Sequence, residues 1–128
     1  LFHGKANCAI CHDGFNFSDS DIHNLGVGMA APSPDLGRYE TTKQDKDRGA
    51  FKTPTLRNLK DTAPYMHDGS QATLREVVEF YNKGGEKNSH LDGRMKPLNL
   101  TPPEVDDLLT FLDALNGDRV ALKAPKLP

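Results

Sequence analysis

The chain contains no tryptophan, only two cysteines, and no stretch near the roughly 18 consecutive apolar residues that a membrane helix needs. A membrane span is therefore not expected. The formal net charge of -2 gives no excess of positive charge for binding nucleic acid or an anionic membrane. The first residues have neither the charged start nor the apolar segment of a signal peptide, so we expect a mature chain or a piece of a larger one.

Apolar side chains are also scarce, since hydrophobic residues make up 36% of the 128 residues. A core built from these alone would be thin for this length, and a large apolar cofactor would supply the missing buried surface. Cys8 and Cys11 are so close that a disulfide between them would close only a tiny loop and stabilise almost nothing. Their role is therefore expected to be chemical.

The two cysteines and the histidine that follows form a Cys-x-x-Cys-His motif at Cys8, Cys11 and His12. The spacing lets both thiols add to the two vinyl groups of haem while the neighbouring imidazole reaches the iron. Neutral imidazole is a good iron ligand, and its second ring nitrogen is expected to donate to a backbone carbonyl. The motif predicts one covalently attached haem c.

Two other uses of a Cys-x-x-Cys pair are less well supported. A structural zinc site needs a second pair of ligands at matching spacing, and residues 13–128 contain none. A thioredoxin-type redox pair needs a preceding strand and a βαβ context, which the pattern does not show.

Local patterns predict helices at both ends of the chain and long loops between them. Residues 1–12 have an approximate apolar face that predicts a short helix, whereas 13–54 are rich in glycine and proline and look irregular. Capping boxes at Thr73–Glu76 and Thr101–Glu104 each begin a helix with apolar residues at helical spacing. A short helical turn is expected near 55–60.

No segment alternates between polar and apolar residues over a strand's length. The predicted fold class is all-α: a cytochrome c-like small helical domain with long loops, wrapped around one covalently bound haem. The domain is expected to span residues 1–117, followed by a C-terminal tail at 118–128.

The second axial ligand of the iron is not fixed by the motif. Met95 has a positional argument, because it follows a glycine-rich loop and precedes the last helix, as the methionine ligand does in small monohaem cytochromes c. Methionine there would raise the reduction potential. Met95 could equally be a loop residue that packs on the core. The remaining candidates are Met29, Met66, Tyr81, His3, His23, His67 and His90.

Long stretches of the sequence resemble the C-terminal haem domain of the bacterial dihaem cytochrome c peroxidase and MauG family. The segments concerned are 47–58 (DRGAFKTPTLRN), 62–70 (TAPYMHDGS) and 73–78 (TLREVV), with 4–8 and 23–27 upstream. The resemblance covers nearly the whole chain up to Gly117. It implies that this haem is the electron-relaying one, because the peroxide-reducing haem and the bridging tryptophan of the family belong to an N-terminal domain.

The resemblance also implies roles for individual residues. Counting along the matched segments places Tyr81 at the family's distal position, where MauG-type proteins use tyrosine, and we prefer it to Met95. Arg57, with help from Lys52, is implied as a haem propionate partner, and His67 as a residue near the haem. Thr62 and Pro64 match carbonyls that help to bind calcium, but this chain alone supplies too few ligands for that ion.

These observations favour an electron-transfer module without catalytic residues of its own. It would exchange electrons with a redox partner, a small cytochrome or copper protein, and with a second haem domain or subunit, in the bacterial periplasm. The alternative is the C-terminal part or a subunit of a dihaem cytochrome c peroxidase or MauG-like oxidase that acts on hydrogen peroxide. A structural or sensing haem domain is a third interpretation.

Overall fold

The computed structural model describes residues 1–118, which contain three α-helices and a minimal β-sheet. The α-helices are α1 (Tyr39–Thr42), α2 (Leu74–Asn82) and α3 (Pro102–Ala114). The strands are β1 (Ile22–His23) and β2 (Phe51–Lys52), and short 3-10 helices lie at Cys8–Ile10, Asp45–Asp47 and Leu59–Asp61. The predicted tail at 118–128 lies, apart from Asp118, outside the described residues. None of the helices within 1–118 is long and apolar enough to cross a membrane.

The all-α fold class predicted from the sequence is wrong. Strands β1 and β2 pair antiparallel, with Ile22 opposite Lys52 and His23 opposite Phe51. The α-helices are four, nine and thirteen residues long, so much of the chain is turn and loop. The strands escaped prediction because two residues are too few to show an alternating pattern.

The helix expected over 1–12 is also absent, apart from the 3-10 helix at Cys8–Ile10. Residues 1–7 form consecutive turns, with N–H groups of Gly4 and Ala6 both donating to the carbonyl of Leu1. Asn7 has a φ of 47°, in the left-handed region, which breaks any helical continuation into the cysteine pair. Of the helical turn expected near 55–60, the structure has the 3-10 helix Leu59–Asp61, which begins four residues later than predicted.

Helices α2 and α3 begin where their capping boxes predict. The Thr73 hydroxyl accepts a hydrogen bond from the Glu76 N–H at 3.2 Å, and the Glu76 carboxylate accepts from the Thr73 N–H at 3.0 Å. In α3 the Glu104 carboxylate accepts from the N–H and the hydroxyl of Thr101. These bonds satisfy backbone donors that would otherwise lack partners at the helix starts.

The core lies between α3, α2 and the N-terminal turns. It comprises Phe2, Ala6, Val78, Leu100, Val105, Leu108 and Leu112. The ring of Phe2 contacts that of Phe111, with centroids 4.7 Å apart, and that of Phe17, at 5.9 Å. The core thus joins the last helix to the segments on either side of the Cys-x-x-Cys-His motif.

Candidate haem site

Cys8, Cys11 and His12 lie on one tight turn. The carbonyl of Cys8 accepts hydrogen bonds from the N–H of Cys11 at 3.3 Å and of His12 at 2.9 Å. The turn follows the left-handed Asn7, so it is a compact unit and not the end of a longer helix. The turn of the polypeptide itself therefore holds both thiols and the imidazole close together.

The two thiols are free and half-buried. Burial raises the pKa of Cys8 to about 11 and also raises the pKa of Cys11. Dithiol redox motifs instead depress the pKa of the attacking cysteine, because the thiolate is the nucleophile. The partial burial of both thiols therefore does not favour a thioredoxin-type use of the pair.

His12 is oriented by the loop that follows it. Its Nδ1 lies 2.9 Å from the carbonyl oxygen of Phe17. A carbonyl oxygen only accepts, so this bond places the proton on Nδ1 and the ring lone pair on Nε2. Burial lowers the pKa of His12, although the carbonyls of Phe17 and Pro54 and the carboxylate of Asp19 oppose the shift. The imidazole is thus held neutral, in the tautomer that a metal ligand requires.

Tyr81 lies in the last turn of α2, and its phenol is within electrostatic reach of the cysteine pair. Burial raises its pKa, and the nearby thiols of Cys11 and Cys8 raise it further. The structure therefore brings Tyr81 and the motif together.

Met95 packs just beyond the C-terminal end of α2. Its methyl carbon is 2.9 Å from the position that a Cβ on Gly85 would occupy. Gly85 follows the end of α2 and has a φ of 74°, with its N–H donating to the carbonyl of Phe80. The thioether is thus packed against Gly85, and a side chain at that position would collide with it.

The remaining predicted residues are placed around the loop after the motif and around β2. The Nε of Arg57 donates to the carbonyl of Phe15 at 2.8 Å, with its guanidinium over the rings of Phe15 and Phe17. The Nζ of Lys52 donates to the carbonyl of Thr53. The ring of His67 stacks on that of Phe51 at 3.5 Å.

The sequence reasoning missed a polar cluster beside Cys11 that is built around a buried histidine. His23, only 6% exposed, lies between the carboxylates of Asp19 and Asp92, at 2.9 and 2.8 Å from its two ring nitrogens. Ligand atoms of Cys11, Asp19 and His23 lie within 4.8 Å of one another. The spacing of Asp19 and His23 was readable in the sequence, but Asp92 lies 69 residues further on and no local pattern reveals it.

The donor set fits haem. Two free thiols, a neutral imidazole with its lone pair on Nε2 and the half-buried phenol of Tyr81 lie in one region of the molecule. These are the groups that two thioether bonds and axial coordination of iron require. The carboxylates of Asp19 and Asp92 are already within hydrogen-bond distance of His23. The site therefore suits an iron porphyrin better than a cation bound by the carboxylates.

Comparison with known proteins finds relatives across the whole chain. It is 41% identical over 128 residues to the methylamine utilization protein MauG of Methylorubrum extorquens, covering 100% of this chain and 36% of that protein. It is 39% identical over 154 residues to the cytochrome-c peroxidase IdrP2 of Denitromonas iodatirespirans, covering 100% of this chain and 41% of that protein. No family model matches the chain.

Solved structures share the fold. A crystal structure of a MauG-like protein associated with microbial copper homeostasis is 33% identical, with a TM-score of 0.84 over 91% of this chain and 45% of that one. The diheme peroxidase BthA from Burkholderia thailandensis is 22% identical, with a TM-score of 0.74 over 91% of this chain and 40% of that one. The cytochrome c-like part of the predicted fold is consistent with these neighbours.

The chain spans about two fifths of the length of the curated relatives it matches. The resemblance inferred from the sequence motifs is thereby confirmed, and haem is the cofactor that the relatives support. Over its whole length the chain is similar to part of the MauG proteins and bacterial cytochrome c peroxidases, and its extent is consistent with a single haem domain of that family.

Proposed function

We propose that the chain is a c-type cytochrome domain that relays electrons one at a time through a single covalently attached haem. The observation that carries this proposal is the turn on which Cys8, Cys11 and His12 lie, with the His12 tautomer fixed by the Phe17 carbonyl. When bound, haem supplies reversible one-electron transfer at its iron. The two cysteines provide the thioether bonds and His12 the proximal ligand.

Tyr81 is proposed as the distal ligand. Its phenol lies near Cys11 and Cys8, whereas the thioether of Met95 is packed against Gly85. A phenolate oxygen is a hard, anionic ligand that stabilises ferric iron and lowers the reduction potential, which is the opposite of the effect of methionine. The electrostatic contact supports Tyr81, and Met95 remains the alternative.

Coordination on both faces of the iron favours relay over direct reaction with peroxide. An iron with two protein ligands must release one before hydrogen peroxide can bind. The chain has a single Cys-x-x-Cys-His motif, while BthA is named a diheme peroxidase. We therefore place the partner haem on another domain or subunit, with a small cytochrome or copper protein as redox partner.

The second candidate function is a part of a dihaem peroxidase or MauG-like oxidase acting on hydrogen peroxide. It is favoured by the names of the relatives, which include cytochrome-c peroxidases that match 100% of this chain. In that setting the present domain is the relay half of the enzyme. Because haem c is attached outside the cytoplasmic membrane, the proposed compartment is the periplasm.

Three residues are proposed to contact the haem periphery. Arg57 and Lys52 supply cations suited to propionates, and His67 lies on the face of Phe51. In Arg57 the Nε is already bonded to the Phe15 carbonyl, so a propionate would be met by the terminal guanidinium nitrogens. Calcium at the Thr62 and Pro64 carbonyls would need ligands from another domain.

Rapid mixing separates relay from peroxidase activity. The haem-loaded chain is first reduced by a small cytochrome donor and then mixed with hydrogen peroxide alone, or with an oxidised dihaem relative. The relay proposal predicts fast oxidation by the haem protein and slow reaction with peroxide. Turnover of peroxide by the isolated chain at an enzymatic rate would contradict it and support the second function.

A further inference from the structure

A buried histidine ties strand β1 to the loop that carries Met95. His23 Nδ1 lies 2.8 Å from Asp92 Oδ2, and His23 Nε2 lies 2.9 Å from Asp19 Oδ2. The side chain of His23 is 5% exposed and that of Asp92 is 16% exposed, so the bond between them is largely shielded from water. Hydrogen bonds to an ionised carboxylate are among the stronger ones in proteins.

Asp92 in turn fixes the backbone of the loop. Its N–H donates to the carbonyl of Asn24 at 2.9 Å, and its own carbonyl accepts from the N–H of Met95 at 2.9 Å. Its Oδ1 accepts from the N–H and the Nε of Arg94. Met95 is therefore attached to Asp92 directly. Asp92 is attached to β1 and the residue after it by the main-chain bond to Asn24 and by the contact with His23 Nδ1. Arg94 joins the same contact, since its Nη2 donates to Asp92 Oδ2 and lies 2.9 Å from His23 Nδ1.

The loop places the Met95 thioether at the end of the helix that carries Tyr81. Its methyl carbon lies against Gly85, four residues after Tyr81 in the chain. The Gly85 N–H donates to the Phe80 carbonyl, so this contact is made to the terminus of α2 itself. Tyr81 and Met95, the two candidate ligands, thus both lie at the C-terminal end of α2. The position of the loop from Asp92 to Met95 determines whether the thioether stays against Gly85.

We propose that His23 is a positioning residue that, through Asp92, holds Met95 against Gly85 and so keeps Tyr81 as the distal ligand in both oxidation states. This inference rests on the proposed function, in which Tyr81 is that ligand. A thioether is a soft ligand and prefers ferrous to ferric iron. Release of the loop therefore lets Met95 replace Tyr81 chiefly in the reduced protein, and the reduction potential rises.

The test compares variants on the two sides of the same imidazole. Asp92→Asn and His23→Asn weaken the attachment of the Met95 loop, whereas Asp19→Asn weakens the other bond of His23 and leaves Asp92 in place. The haem-loaded chain is reduced, and its proton NMR spectrum is searched for the methyl resonance that the porphyrin ring current shifts strongly upfield in iron-bound methionine. Potentials are measured alongside, in the native and the Met95→Leu background.

The expected result is the upfield methyl resonance in Asp92→Asn and His23→Asn only, with an upward shift of the potential that Met95→Leu abolishes. Asp19→Asn lacks the resonance and any shift that depends on Met95. Absence of the resonance from both loop variants, with native-like far-UV circular dichroism, overturns the inference while leaving Tyr81 as ligand. An upfield methyl resonance in the unmodified reduced protein also overturns the inference, because Met95 would then ligate ferrous iron with the loop intact. The EPR spectrum of the ferric protein tests the Tyr81 assignment separately.

Discussion

The imidazole of His12 and the carbonyl of Phe17 are joined by a hydrogen bond of 2.9 Å that turns the loop after the motif back under the histidine. Phe17 has a φ of 49°, and its N–H donates to the carbonyl of Gly14, so the loop closes tightly. Its ring contacts those of Phe2 and Phe111, which belong to the N-terminal turns and α3. The core therefore holds the proximal ligand through one aromatic residue.

Replacing Phe17 by alanine is expected to affect both stability and the haem. Loss of its half-buried ring should lower the free energy of unfolding by about 1–3 kcal/mol, less than for a fully buried phenylalanine. Without the ring, the carbonyl of residue 17 is held less firmly and its hydrogen bond with His12 Nδ1 weakens. The imidazole then gives less electron density to the iron, and the reduction potential rises. Urea unfolding and potentiometry measure the two effects.

Phe15→Ala in the same loop is the matched control. Its ring is 82% exposed, so the loss of stability should be within about 0.5 kcal/mol. A potential that shifts as much in Phe15→Ala as in Phe17→Ala would show that the Phe17 carbonyl is not the connection to His12.

Covalent attachment is tested at the two thiols. Because Cys8 and Cys11 are the only cysteines, the double alanine variant has no thiol to form a thioether bond. Haem should migrate with the unmodified chain on a denaturing gel, in one equivalent per chain, and be lost from the double variant. Each single variant should keep one thioether bond and show a shifted pyridine haemochrome band. Haem that stays attached to the double variant would refute the assignment.

The ion pair between Lys5 and Glu104 predicts acid sensitivity at the start of α3. The Lys5 ammonium, 2.7 Å away, and the N–H of Thr101 lower the pKa of Glu104 from 4.5 to about 2. A carboxyl whose pKa is depressed on folding contributes stability above its unfolded pKa and loses it as the pH falls through the folded value. The contribution should therefore fade between pH 4.5 and about 2.

Glu104→Gln isolates this charge, because glutamine still suits a capping box. Urea unfolding should show the variant less stable than the native chain at pH 7, with the difference vanishing towards pH 2. Glu79→Gln, on the exposed surface of α2, is the control and should show little difference at either pH. A Glu104→Gln deficit that stays constant across this range would exclude the ion pair as its cause.

Parts of the fold were predictable from the sequence where the cause is local. Helices α2 and α3 begin at their capping boxes, since a threonine and a glutamate three residues later satisfy the first N–H groups with short-range bonds. The turn of Cys8, Cys11 and His12 is equally local. The prediction of Tyr81 as the distal ligand came from the resemblance to the family, because the hydrophobic pattern of α2 does not distinguish it from other residues of the helix.

Other parts depend on contacts between distant residues and could not be predicted. The N-terminal turns replace the expected helix because Asn7 is left-handed, and their shape is set by packing of Phe2 on Phe17 and Phe111. Strands β1 and β2 are too short to leave a pattern. The bond between His23 and Asp92 joins residues 69 positions apart, so only the folded chain brings them together.

The central proposal is that Tyr81 is the distal ligand of the haem iron, and spectroscopy of the ferric protein can test it. Absorption and EPR spectra of the ferric, haem-loaded chain are compared with those of Tyr81→Phe and Met95→Leu. We predict that Tyr81→Phe alone removes the phenolate ligand and converts the low-spin signal to high-spin, or to that of a different sixth ligand, while Met95→Leu matches the unmodified protein. If Met95→Leu instead turned the iron high-spin and Tyr81→Phe left the spectra unchanged, the proposed ligation would be contradicted.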